Sequence, residues 1–159
     1  MILAVLTISD RCSQGLMTDT AGPAVAAQLR AAWPQAEIVT RLLPDEEEQI
    51  VAALLELSSS GVALAVTVGG TGLGLRDRTP EATRRVIDRE APGLTEAMRA
   101  KSAVNNPYAW LSRAVAGLKG TTLIVNLPGS ERGAVECWAA IGDLVRHGLE
   151  VIQGGQTHP

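Results

Sequence analysis

The sequence contains no Phe, one Tyr and three Trp in 159 residues. Ala, Val and Leu must therefore build the core, and few aromatic faces remain on which nucleobases could stack. Cysteine is also scarce. Cys12 and Cys137 lie far apart, with no CxxC spacing and only two His in the chain. That pattern excludes a zinc signature and a disulfide framework and points to a reducing cytoplasm. No run of about 18 apolar residues is free of charge or turn residues, so no membrane span is expected. The N-terminal "MILAVLTISDR" lacks a leading basic region and reads as a first strand, not a signal peptide. A net charge of −3 and a pI near 5.4 exclude a nucleic-acid binder that relies on bulk electrostatics. The chain shows no repeat and no low-complexity segment.

What is present is an alternation of apolar runs and helical patterns. "ILAVLTI" (2–8) and "VALAVTV" (62–68) are continuous apolar runs, as expected of strands buried on both faces. "AEIVTRLL" (36–43) and "TTLIVNL" (121–127) read as the second and fourth strands. Between them, helices are expected over 22–33, 44–61, from Pro80 to about Arg89, over 93–104, and over 131–153. In the 44–61 segment Asp45 is a candidate N-cap with Glu48 three residues on, and Gly61 stops the pattern. This order predicts an α/β fold, a mostly parallel sheet with helices on both faces. The length fits one domain, over residues 1–153, with 154–159 as a flexible tail. In such sheets ligands sit beyond the carboxyl ends of the strands. The four turns leaving the strands, "SDRCSQG", "PDEEE", "GGTGLGLRD" and "PGSERG", are therefore expected to line one site.

The polar signals fall in those turns. Gly69, Gly70, Gly72 and Gly74 suit either a tight strand-to-helix turn or a backbone cradle for an anion. The P-loop pattern fails, because Leu75 and Arg76 follow Gly74 where Lys and Ser/Thr belong; the dinucleotide pattern fails because position 75 is Leu. Asp77, between Arg76 and Arg78, is either a turn aspartate or a carboxylate that its arginine neighbours keep ionised for Mg²⁺ on a phosphate-bearing substrate. Asp45 is either a cap or its partner carboxylate. Residues 76–101 carry seven basic and five acidic side chains, net +2 in an acidic protein. Ser130 is either an N-cap or part of an anion site at a helix start. Thr7, Ser9, Asp10 and Ser13 stand at the first strand exit. His147 falls in the last helical pattern and His158 in the tail, so no Ser/His/Asp set is suggested.

Taken together, "TISDRCSQG…D" (7–19), "RLLPDE" (41–46), "TVGGTGLGLRDRTPEAT" (67–83), "LSRAVAG" (111–117) and "LIVNLPGS" (123–130) resemble one family, the MogA/MoaB-type molybdenum cofactor biosynthesis proteins, which include a domain of gephyrin. The resemblance implies a three-layer α/β/α homotrimer that binds molybdopterin. In the MogA-like branch it implies adenylyl transfer from Mg-ATP to the terminal phosphate of molybdopterin, with the product passed to a separate molybdate-insertion protein. It assigns Asp45 and Asp77 to catalysis and to Mg²⁺. It places the backbone of Gly69, Gly70, Thr71 and Gly72 on substrate phosphates, and Ser102, Ser112 and Asn126 on the pterin side. Ser9 and the turn Pro128, Gly129 and Ser130 complete the expected site. A pterin-binding or carrier protein of the MoaB type, without catalysis, is the alternative that the resemblance leaves open.

Overall fold

The computed structural model describes residues 1–154. The expected tail thus lies, beyond Gly154, outside the described residues. In order the elements are β1 (Ile2–Ile8), α1 (Asp10–Ser13), α2 (Ala21–Ala32), β2 (Glu37–Leu43), α3 (Glu47–Ser59), β3 (Leu64–Val68), α4 (Thr79–Val86), β4 (Arg89–Glu90) and α5 (Pro92–Ala103). A 3-10 turn (Pro107–Leu111), β5 (Ala116–Lys119), β6 (Thr122–Leu127) and α6 (Glu131–Ile152) follow.

The unbroken apolar runs occupy the centre of one six-stranded sheet, ordered β2-β1-β3-β6-β5-β4. The first four strands are parallel; β5 runs antiparallel to β6, and β4 antiparallel to β5. Register sets Val5 beside Val66, and Val66 beside Val125, so like-facing residues form continuous rows across the strands. One row, with Leu3, Val5, Val66, Val125 and Leu127, packs under α2, α5 and α6. The alternate row, with Ala4, Leu6, Ala65 and Ile124, packs under Ile50, Leu54 and Leu57 of α3 and Ala82 and Val86 of α4. Helices therefore cover both faces, as the apolar runs require. β2, at the edge, is the half-exposed strand. No helix among the described residues is long and apolar enough to cross a membrane.

The sequence pattern predicted four strands, and the structure adds two. β4 is only two residues long, both exposed, and β5 is only four, the buried Gly117 among them, so neither is long enough to show a period. Asn126 is also placed differently from expectation. It is fully buried in β6, where its Nδ2 donates to Thr67 Oγ1 and to Thr83 Oγ1, each at 2.9 Å, and its Oδ1 accepts from Val115 N at 3.0 Å. With these partners it ties β3, β6, α4 and the segment before β5 beneath the site, and its side chain presents no surface. Asn126→Ala is expected to cost roughly 2–4 kcal/mol of stability, measured by urea unfolding, since three buried hydrogen bonds go with it. A variant of unchanged stability would return the residue to the ligand-facing surface.

Candidate active site

The parallel strands β1, β2, β3 and β6 end on one edge, and the strand order reverses between β1 and β3, where open α/β sheets form a crevice. Backbone packs on backbone there. Gly69, at φ 114°, would place a Cβ only 2.2 Å from the Ile8 carbonyl oxygen, so no other residue fits. Gly70, at φ 63°, turns the chain back, and a Cβ on it would meet Thr79 Oγ1 at 2.4 Å and Asp45 Oδ1 at 3.0 Å. The Asp45 carboxylate thus lies against the glycine loop.

Asp45 does not cap α3. Glu46 holds the N-cap position and makes no side-chain capping bond. Instead Asp45 and Asp10 exchange bonds across the ends of β1 and β2: Asp10 N donates to Asp45 Oδ2 at 2.8 Å, and Asp45 N to Asp10 Oδ1 at 3.0 Å. The arginines expected beside Asp77 turn elsewhere. Arg76 grips Asp10 through Nε at 3.0 Å and reaches Glu46 at 2.7 Å, while Arg78 pairs with Glu47. Asp77 instead closes its own turn, its Oδ2 accepting from Gly74 N at 2.7 Å and its amide donating to Gly74 O at 3.0 Å. The turn reading of Asp77 is therefore met, and the residue faces the site as well.

These pairings divide the carboxylates electrostatically. The Arg76 hydrogen bond holds Asp10 below its usual range, helped by the Asp45 amide. Burial pushes Asp45 up; the charges of Asp10 and Asp77 add to this, and the hydrogen bond from the Asp10 amide opposes it. Among the described residues no cationic side chain is bonded to Asp45; Arg76 acts on it only through space, in the opposite direction to burial.

Two clefts open from this edge. The first, about 420 Å³, is bounded by the glycine loop, α5, the 3-10 turn and the start of α6, and it takes in Thr71, Gly72, Ser102, Ser112 and Pro128. The second, about 620 Å³, takes in Ser9, Asp10, Cys12, Asp19, Asp45 and Gly69. Gly70, Asp77, Gly129 and Ser130 line both and form a common wall. All four strand-exit turns thus converge, as their sequence predicted. Ser9 and Ser130 also cap helices: Ser9 Oγ accepts from Cys12 N at 3.2 Å, and Ser130 Oγ from Gly133 N at 3.2 Å.

Sequence reading missed Arg99, Tyr108, Glu136 and Cys137, which line the first cleft. Arg99 was findable, since it precedes Ser102 by three residues and a helix puts i and i+3 on one face. Cys137 Sγ lies 3.5 Å from Ser102 Oγ, and burial raises its thiol above the usual value. Arg113 was missed as well; it lines neither cleft but bonds the glycine loop from behind.

Comparison with known proteins agrees with this geometry. A family model described as "Probable molybdopterin binding domain" matches residues 4–147. The molybdopterin adenylyltransferase of Escherichia coli (strain K12) is 40% identical over 153 residues, covering 92% of this chain and 78% of that protein. The Drosophila melanogaster molybdenum cofactor synthesis protein cinnamon is 38% identical over 149 residues, 93% of this chain, but the match spans only 25% of that longer protein. The crystal structure of the molybdopterin biosynthesis enzyme MoaB from Thermus thermophilus superposes with a TM-score of 0.89 at 43% identity, covering 96% of each chain. The chain belongs to this molybdopterin-binding domain family.

Proposed function

We propose that the protein is a molybdopterin adenylyltransferase. The observation that carries this reading is the common wall of Gly70, Asp77, Gly129 and Ser130, which sets two substrate-sized clefts side by side with a carboxylate at their junction. A bisubstrate transfer between phosphates needs that arrangement. Molybdopterin occupies the first cleft and ATP the second. A terminal phosphate oxygen of molybdopterin forms a bond to the α-phosphorus of ATP, the α–β bridging P–O bond breaks, and pyrophosphate leaves. The attacking phosphate is already ionised at neutral pH, so no general base is required, and positioning with charge neutralisation carries the catalysis. The amides of Gly70, Thr71 and Gly72 and the N-terminus of α6 behind Ser130 offer N–H groups to the phosphates, whereas the Gly69 amide is taken by Leu127 O.

The residues fit a divalent cation. Asp10, Asp19, Asp45, Asp77 and Glu131 line the second cleft against one guanidinium, Arg11, a balance that repels a bare polyphosphate. Among the described residues no group of three or more His, Cys, Asp or Glu is placed to hold a metal alone, so substrate phosphates and waters would complete its coordination. We assign Asp45 and Asp77 to hold Mg²⁺, which supplies charge neutralisation at the transferring phosphoryl group. Asp45, half-buried and facing two further carboxylates, is a group whose ionised form a cation would favour. The two free thiols, Cys12 and Cys137, support a cytoplasmic location. Assembly as a homotrimer, and delivery of the product to a separate molybdate-insertion protein, complete the proposal; light scattering at three times the monomer mass is expected.

Incubation with molybdopterin, ATP and Mg²⁺ is expected to yield adenylated pterin and pyrophosphate, and Asp77→Asn to lower the rate roughly 100-fold or more with the fold intact. Tight pterin binding without product would instead establish a carrier. Asp45 gives a prediction of opposite sign for stability. Its pKa is raised in the folded state, so the ionised form is disfavoured by folding, and stability falls as pH rises from its ordinary value of 3.8 through the raised one. Asp45→Asn is therefore expected to melt higher than wild type at pH 7, to lose this advantage in acid, and to lose the melting shift that Mg²⁺ gives the wild type. A lower melting temperature at pH 7 would refute that placement.

A further inference from the structure

We propose that Arg113 is a positioning residue of this site, holding the glycine loop and Asp77 in their working geometry from the side opposite the ligands. The inference rests on the adenylyltransferase reading and extends it to a residue outside both clefts.

Arg113 stands between the 3-10 turn and β5 and bonds the loop at three carbonyls. Its backbone amide donates to Thr71 O at 2.9 Å, its Nε to Gly72 O at 2.7 Å, and one terminal nitrogen to Asp77 O at 2.6 Å. The other terminal nitrogen pairs with Glu81 of α4, which anchors the guanidinium to the helix that follows the loop. One side chain therefore spans the loop from its second glycine pair to its aspartate. A loop with Gly69, Gly70, Gly72 and Gly74 has little stiffness of its own, and Leu75 at its tip is 97% exposed. The three bonds supply the rigidity that composition withholds.

The bonds also fix polarity. Every peptide in the described chain is trans, and in a trans peptide the N–H points opposite to the C=O. With the Thr71 and Gly72 carbonyls turned onto Arg113, the amides of Gly72 and Leu73 point away from it. Neither amide has a protein acceptor among the described residues, and Gly72 lines the first cleft. Arg113 thus orients N–H groups for an anion without touching the anion. Asp77 is held at both ends, its carbonyl by Arg113 and its carboxylate by the Gly74 amide. The planar guanidinium is suited to this fork; a lysine ammonium offers a single point of charge.

Arg113→Lys keeps a cation for Glu81 and removes the fork. It is expected to lower kcat for adenylation roughly 100-fold, the scale of an ångström-sized misplacement, with a smaller change in the KM for molybdopterin and a melting temperature close to wild type. Amide hydrogen exchange over Gly70–Arg78 is expected to quicken in the same variant. Glu81→Gln retains the three carbonyl bonds and is expected to lose less activity than Arg113→Lys. Guanidinium added to Arg113→Ala is expected to restore part of its rate, whereas it leaves Asp77→Asn inactive. Wild-type turnover by Arg113→Lys, or unchanged loop exchange, overturns the proposal. A wild-type protein that forms no adenylated product overturns the functional reading instead, and loop exchange still tests the clamp.

Discussion

A Cβ at Gly69 would lie 2.2 Å from the Ile8 carbonyl oxygen, and one at Gly129 would lie 3.2 Å from the Gly69 Cα. The exits of β1, β3 and β6 therefore meet as bare backbone, and the site depends on that closeness. It brings the Asp45 carboxylate up to Gly70, and it makes Gly70 and Gly129 part of both cleft walls. The buried sheet beneath makes it possible: β3 and β6 pair in register to Val68 and Leu127, and the ladder continues one step further as Gly69 N donates to Leu127 O at 3.0 Å. A bulkier residue at Gly69 would separate the strand ends and part the two clefts.

Charge around this contact is arranged unevenly. Arg76, Arg78 and Arg85 each pair with acids at the start of α3 or in the α1 turn. These exposed pairs add little to stability singly, but they take the arginines away from Asp45 and Asp77. Asp10 is thus paired, while the carboxylates of Asp45 and Asp77 have no bonded arginine side chain among the described residues. Asp45 shows the consequence, a half-buried acid whose ionised state the folded protein disfavours. Ionised at neutral pH, such a group opposes folding.

The sequence made the parallel half legible because burial on both faces writes itself as unbroken apolar runs. β1, β3 and β6 were readable from Ile2–Ile8, Leu64–Val68 and Thr122–Leu127 for that reason. The convergence of the four turns followed from the carboxyl-end rule, and Asp45, Asp77, Gly70 and Ser130 do meet. Local reasoning failed where a side chain's partner comes from afar. Of the two readings of Asp45, cap or site carboxylate, the cap fails because its carboxylate bonds Asp10, thirty-five positions away. Asn126 was carried to the pterin side by its motif, yet it binds Thr67 and Thr83 inside the core. Arg113 has no periodic signature, and its partners lie more than thirty residues distant.

The two halves of the sheet also divide the labour of the site. The four parallel strands, with their switch point between β1 and β3, produce the acidic second cleft, which is the kind of crevice any doubly wound sheet offers. The first cleft needs more. Its far wall comes from α5 and the 3-10 turn, within the same segment that contributes the short antiparallel strands β4 and β5. Ser102, Ser112 and Arg99 all belong to that addition. Its helix was legible over 93–104, whereas its strands, two and four residues long, are too short to show a period. Arg113 sits where the addition rejoins the sheet, immediately before the buried Ala114–Ala116, and bonds back to the glycine loop of the parallel half. A single side chain thus couples the segment that walls the first cleft to the wall shared with the second. The spacing of the two clefts depends on that joint, because the loop that Arg113 bonds carries Gly70 and Asp77 of their common wall.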